Sequence, residues 1–201
     1  MNKKIAILRG INVGGKRKIL MADLKVLCEE LGLEQIKTYI QSGNVIFNSK
    51  KENTELEDLL ENAITEKFGF IVPVIVRNSS ELQTSISKNP FFDKNADMNQ
   101  LHLTFLKEKP RNEYLEKVLS YHYEPDKFKI DKKEVFIFCE GKYHKTKLNN
   151  NFFEKKLNPL THSCCCIPAS LYNISKIGFR YRRLYSIFCG MLQIIKYLRT
   201  F

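Results

Sequence analysis

The chain has 201 residues, of which 43% are hydrophobic and 27% charged, with a formal net charge of +11. That length suits one domain or two small packed halves with a real core, and the composition is ordinary for a soluble globular protein. The longest apolar stretch of the C-terminal segment, Leu184 to Ile195, is about half the roughly twenty residues a spanning helix needs, and only four apolar residues separate Met1-Asn-Lys-Lys from Arg9. Neither a membrane span nor a secretory signal is expected, so the expected location is cytoplasmic.

Lys4 to Leu8 reads as a buried strand. It runs into Arg9-Gly10-Ile11-Asn12-Val13-Gly14-Gly15-Lys16-Arg17-Lys18, and a helical pattern follows near Met21. A strand, a glycine-rich basic loop and a helix make a candidate anion site: glycines let the backbone approach a ligand, while exposed N–H groups and cations favour phosphate. Gly10 to Lys16 also fits G-x-x-x-x-G-K. A nucleotide-binding P-loop then requires Ser or Thr, but that position holds Arg17, and the helical pattern starts several residues too late. Two readings stay open: a connection whose glycines serve only backbone geometry, and a loop that binds phosphate or nucleic acid without magnesium.

Met21 to Leu31 reads as a helix, with Leu24, Leu27, Cys28 and Leu31 on one face and Gly32 as its stop. Ile36 to Ile40 and Val45 to Asn48 read as strands around a Ser42-Gly43-Asn44 turn. Gln41, Ser42 and Asn44 can also hydrogen-bond a ligand, although Ser42 lacks the G-x-S-x-G frame of a nucleophile. Thr54 to Phe68 is a second helix, capped by Asn53 or Thr54 and ended by Gly69. Val72 to Val76 is a strand in which Pro73 marks an edge or a start. The order is β-α-β-β-α-β, the split βαβ arrangement.

Glu81 to Lys88 reads as a short helix, and Asn89 to Asp97 as a connector tethered by Phe91 and Phe92. The theme then repeats: a strand at Leu101 to Leu106, a helix at Asn112 to Leu119, a hairpin of Lys127 to Ile130 with Val135 to Cys139, and a helix at Asn149 to Leu157. This is the first order without its last strand. His102 is expected on the exposed face of its strand. His144 and Lys145 sit in a basic segment, Gly141 to Lys147, that can contact phosphate. No H-E-x-x-H, D-x-D or Cys–His signature is present, so no catalytic residue is assigned. Cys28 and Cys139 read as core, and Cys164-Cys165-Cys166 lacks the spacing of a zinc site, so no metal site is assigned.

Leu8 to Gly15 (L-R-G-I-N-V-G-G), Met21 to Leu24 (M-A-D-L) and Thr38 to Val45 (T-Y-I-Q-S-G-N-V), in that order, resemble the bacterial family called domain of unknown function 1697. The resemblance runs from about Lys3 to Leu157 and includes Lys145 to Asn150 and Phe153 to Leu157. It implies a compact α+β protein of two packed, ferredoxin-like (βαββαβ-type) halves, residues 1–90 and 91–158. It implies no activity, because the family has none established. The residues matching its motifs are Arg9, Gly10, Asn12, Gly14, Gly15, Tyr39, Gln41, Ser42, Gly43 and Asn44.

Past Asn158 the chain departs from that family, whose members usually continue into a T-x-R-N-W-type motif; this chain contains no Trp. Residues 159–201 hold four of the six cysteines, six Lys or Arg and no Asp or Glu, which leaves +5 for residues 1–158. A frame-shifted ending, an appendage for a membrane surface or partner, and a divergent folded last element all fit this break.

Three functions are consistent with these residues. In a binding module, Arg9 and Lys16 contact phosphate oxygens of a phosphorylated small molecule or nucleic acid, Gly14 and Gly15 donate N–H groups, Gln41 and Asn44 orient the ligand, and the Lys145 loop assists. In an enzyme acting on a phosphorylated or nucleotide substrate, the same residues stabilise charge and His144 or Tyr39 carries a proton. In a structural protein, the glycines and polar residues only join the halves. No cofactor is legible.

Overall fold

The computed structural model describes residues 2–39, 43–93, 97, 99–157 and 164–168. The chain divides into two compact units between Thr84 and Ser85. The first contains β1 (Asn2–Leu8), α1 (Met21–Glu30), β2 (Glu34–Tyr39), β3 (Asn44–Ser49), α2 (Asn53–Phe68) and β4 (Val74–Asn78); α3 (Ser79–Ser87) runs through the division. The four strands form an antiparallel sheet in the order β2-β3-β1-β4. Ala6, Leu8, Val45, Phe47, Val74 and Val76 pack under the helices, against Leu24, Leu27, Leu56, Leu60 and Ile64. On the opposite face Ile5, Ile7, Ile46 and Ile75 are buried as well. Burial on both faces explains why β1 and β3 read as apolar runs without alternation. Cys28 lies in the helix-side core, where burial, with help from Glu29, pushes its thiol up to about 12 and leaves it unreactive.

The edge strand β4 is closed by carboxylates. Backbone N–H groups of Val74, Val76 and Asn78 donate to Glu61 (2.8 Å), Glu57 (2.9 Å) and Glu81 (2.7 Å). Buried Glu57 also accepts from Arg77 Nη1 at 3.3 Å. An edge whose donors are bound to side chains no longer templates another strand. The start of α2 differs from the sequence expectation. Its N-cap is Glu52, with no side-chain cap bond, because Asn53 is engaged elsewhere: its Oδ1 accepts from buried Lys4 Nζ at 2.9 Å and its Nδ2 donates to Glu81 at 2.8 Å.

The second unit contains β5 (Leu101–Leu106), α4 (Asn112–Leu119), β6 (Lys127–Asp131), β7 (Glu134–Phe138), a 3-10 turn (Tyr143–Lys145), α5 (Asn150–Leu157) and β8 (Cys164–Pro168). Its antiparallel sheet has the order β6-β7-β5-β8. The fold is therefore α+β with two antiparallel sheets, and the second unit is not short of its last strand. Cys164 to Pro168 supplies it, running from a partner at Leu106 to one at His102. Local pattern reading misses this strand because its only partner lies far back in the chain and its cysteine run reads as a break in composition.

His102 also departs from expectation. It is 5% exposed, shares the helix-covered face with Leu106, and its ring centroid lies 4.4 Å from that of Tyr143. With both faces of β5 buried, alternation carried no information about which side meets water. Neither ring nitrogen has a hydrogen-bond partner among the described residues. Burial lowers its pKa from 6.5 to about 4, against the opposing pull of the Asn99 backbone and the Asp126 carboxylate. The native state holds His102 neutral where the unfolded chain takes a proton, so stability is full above about pH 6.5 and falls as the pH drops towards 4. Denaturant titrations across that window should show wild type losing on the order of 3 kcal/mol more than His102→Phe. Equal pH dependence in the two proteins would contradict this account of the burial.

Candidate functional site

Between β1 and α1 the chain builds a small hairpin that is held by its own bonds. The Arg9 N–H donates to Pro73 O at 2.9 Å, continuing the β1–β4 pairing past the end of the strand. Five residues then adopt positive φ: Gly10 (70°), Asn12 (56°), Gly14 (59°), Gly15 (73°) and Arg17 (48°). Val13 and Lys16 bridge, with Lys16 N–H donating to Val13 O at 3.1 Å, so Gly14 and Gly15 occupy the two central positions of a tight turn that requires left-handed residues. Outside it, Asn12 N–H donates to Arg17 O at 3.1 Å. The Asn12 side chain then clasps Ile19 twice: Nδ2 donates to Ile19 O (3.0 Å) and Oδ1 accepts Ile19 N–H (2.9 Å). Buried Ile11 and Ile19 anchor the two legs in the core.

The second motif is locked onto the first. Leu8 N–H donates to Gly43 O at 3.2 Å. A Cβ at Gly43 would lie 2.6 Å and 2.8 Å from Ile11 Cδ1 and Cγ1, and 3.0 Å from Leu8 Cβ. Gly43 also has a φ of 79°, so space and conformation both demand glycine. Asn44 opens β3, buried and opposite Ile7, and pairs with Tyr39 at the end of β2. Gln41 and Ser42 lie outside the described residues. The structure thus brings Arg9, Gly10, Asn12, Gly14, Gly15 and Lys16 together with the backbones of Tyr39 and Asn44 at one end of the first sheet. Lys145 belongs to the second unit, where it is exposed at the end of the 3-10 turn next to the equally exposed His144.

Lys16, Arg17 and Lys18 are exposed. Arg17 folds back, with Nη1 3.5 Å from where a Cβ of Gly10 would stand. Gly14 and Gly15 are exposed, directly before these cations in the chain, and among the described residues neither takes part in a hydrogen bond. From Arg9 to Lys25 the sequence holds a single acidic residue, Asp23, and no histidine. The Arg9–Lys18 loop itself holds cations and no Asp, Glu or His; Asp23 sits beyond it, in the first turn of α1. α1 begins only at Met21, with Leu20 at its N-cap, so the hairpin intervenes between the glycines and the helix amides that a P-loop would use. Among the described residues, no three of His, Cys, Asp and Glu gather as a metal site. An open groove of about 470 Å³ lies away from the loop, lined by Lys25, Glu29, Leu33, Gln35, Ile36 and Lys37.

The profile described as "Protein of unknown function (DUF1697)" matches residues 1–136. The chain belongs to the DUF1697 family. The match takes in both motifs at the loop end and stops before the Lys145 to Leu157 segments. A conserved bacterial protein from Streptococcus pneumoniae shares the fold, with a TM-score of 0.67 over 85% of this chain and 94% of that one, at 21% identity. No curated protein matches. Among the described residues of this DUF1697 protein, no helix is long and apolar enough to cross a membrane.

The sequence singled out the glycines of the loop but not the unequal work they do. Gly43→Ala forces Ile11 and Leu8 apart and should destabilise the protein by on the order of 3 kcal/mol. Gly14→Ala meets nothing within 4 Å and should cost only about 1 kcal/mol of backbone strain. Equal losses in chemical denaturation would show that Ile11 does not pack on Gly43 as described.

Proposed function

We propose that this DUF1697 protein is a non-enzymatic binding module whose Arg9–Lys18 loop takes the phosphates of a phosphorylated small molecule or a nucleic acid. The observation that supports it most is the division of labour within the loop. Asn12, Val13 and Arg17 close the hairpin, while the Gly14 and Gly15 N–H groups and the Lys16, Arg17 and Lys18 cations have no partner among the described residues. A loop already in its binding shape loses little conformational entropy when a phosphate arrives. Arg9 and Lys16 contact phosphate oxygens, the Gly14-Gly15 backbone donates, and Gln41 and Asn44 orient the ligand. From Arg9 to Lys25 the one candidate base is Asp23, on α1 beyond the hairpin, and none stands in the Arg9–Lys18 loop itself, which favours binding over turnover.

We also propose that both units are ferredoxin-like, on the support of their shared β-α-β-β-α-β order and of sheet orders that correspond strand for strand. Such sheets can bind RNA through exposed aromatic residues, but here the face away from the helices carries Ile5, Ile7, Ile46 and Ile75, all buried. That supports a reading in which the ligand is met at the loop end.

Binding of a labelled single-stranded oligonucleotide and of inorganic tripolyphosphate, each across a salt series, tests the proposal. A nucleic-acid ligand gives a log–log slope of roughly −0.7 per phosphate contacted, and Lys16→Gln with Lys18→Gln should reduce it by about 1.4 at unchanged thermal stability. A small-molecule ligand gives a shallow slope, and the ligand is recovered intact. No binding of either probe, or a paired variant that binds like wild type, would refute the loop as the site.

A further inference from the structure

The apolar residues of the loop end carry information that phosphate binding does not use. Among the described residues, six large hydrophobic side chains are exposed, and the three most exposed are Leu20 (71%), Ile71 (69%) and Val13 (67%). All three lie at the end of the first sheet where the loop emerges. Val13 follows Asn12 and Leu20 follows Ile19, the two residues of the clasp. Ile71 stands two residues before Pro73, whose carbonyl accepts the Arg9 N–H. The cations Lys16, Arg17 and Lys18 are set between Val13 and Leu20 in the chain. Scattered single hydrophobics on a surface are ordinary, but the three most exposed ones at one end, two of them bracketing a cationic run, are not.

We propose that this end of the first unit docks on an anionic lipid surface, with Val13, Leu20 and Ile71 entering the interfacial layer and Lys16, Arg17 and Lys18 pairing with headgroup phosphates. The inference rests on the phosphate-binding reading and names the source of the phosphates. Interfacial attachment needs both partial terms at once: apolar side chains that leave water and cations that meet anionic headgroups. A single-stranded nucleic acid would be held through stacking on aromatic rings, whereas the large exposed hydrophobics at this end among the described side chains, Val13, Leu20 and Ile71, are aliphatic. A small phosphorylated ligand would leave all three in water. The hairpin shape suits the lipid surface too, since Val13 stands at the shoulder of a projecting turn whose backbone is fixed by Asn12.

The test uses the full chain, and the absence of any Trp makes it clean. Val13→Trp introduces the sole indole at the proposed contact. With vesicles of phosphatidylserine and phosphatidylcholine its emission should shift to the blue and be quenched by brominated acyl chains; pure phosphatidylcholine vesicles should produce neither effect. In co-sedimentation, the double variant Leu20→Ser, Ile71→Ser, outside the Arg9–Lys18 loop, should lose tenfold or more in affinity for the anionic vesicles while keeping its affinity for tripolyphosphate. Vesicle binding by the double variant equal to wild type, or an indole that stays in water while the protein sediments with the vesicles, would overturn the proposal. Tripolyphosphate or oligonucleotide binding without vesicle binding would overturn it too, and would leave the phosphate reading standing. Wild type that binds neither tripolyphosphate nor oligonucleotide would remove both.

Discussion

The arrangement at the loop end depends on a missing atom. Gly43 has no Cβ, and Ile11 fills the space a Cβ would need. This one contact lets the chain leave β1, turn inward with Ile11, and still allow Leu8 N–H to reach Gly43 O. The start of β3 and the root of the loop are thereby fixed to each other. The Asn12 clasp on Ile19 then returns the chain to the core, and what remains between the two anchors is short enough for a two-glycine turn to close. The loop owes its shape to packing and to one amide side chain, and its polar backbone at Gly14 and Gly15 is left over for other work.

The same sheet shows how the fold protects the loop end from pairing with another strand. β4 borders the loop through Pro73, and an open edge there would invite another strand. Glu61, Glu57 and Glu81 occupy its donors in succession, two of them spaced one helical turn apart on α2 to match alternate residues of the strand. The second unit carries the same element order on a different sequence, with β8 in the place of β4. The glycine-rich loop and the Ser42-Gly43-Asn44 turn, however, have their positions in the first unit alone.

Much of this was legible in the sequence, and the divide is physical. The helices of the first unit announced themselves through Leu24, Leu27 and Cys28, and through Leu56, Leu60 and Ile64, because helical periodicity is a local signal. Pro73 marked β4 as an edge or a start for an equally local reason. The ligand candidates of the loop were legible as residue types, since glycines and cations betray themselves. What held them was not. The Asn12–Ile19 clasp, the seat of Ile11 on Gly43 and the carboxylates along β4 are contacts between side chains and distant backbone, which composition and spacing do not encode. His102 was misplaced because a strand buried on both faces has no alternation to read, and β8 was missed because its identity as a strand comes from β5 alone.

The measurement that bears most directly on this account is the amide NMR spectrum of residues 10–19 in the full chain, with hydrogen exchange recorded before and after tripolyphosphate is added. A loop built by its own contacts predicts slow exchange at Asn12, Lys16 and Ile19, the donors of the hairpin and the clasp, and fast exchange at Gly14 and Gly15 without ligand. Tripolyphosphate should then shift Gly14, Gly15 and Lys16 and leave Ile19 where it was. Fast exchange throughout the loop until ligand is added, or ligand shifts confined to Lys142 to Lys147, would contradict a preformed site at this end of the fold.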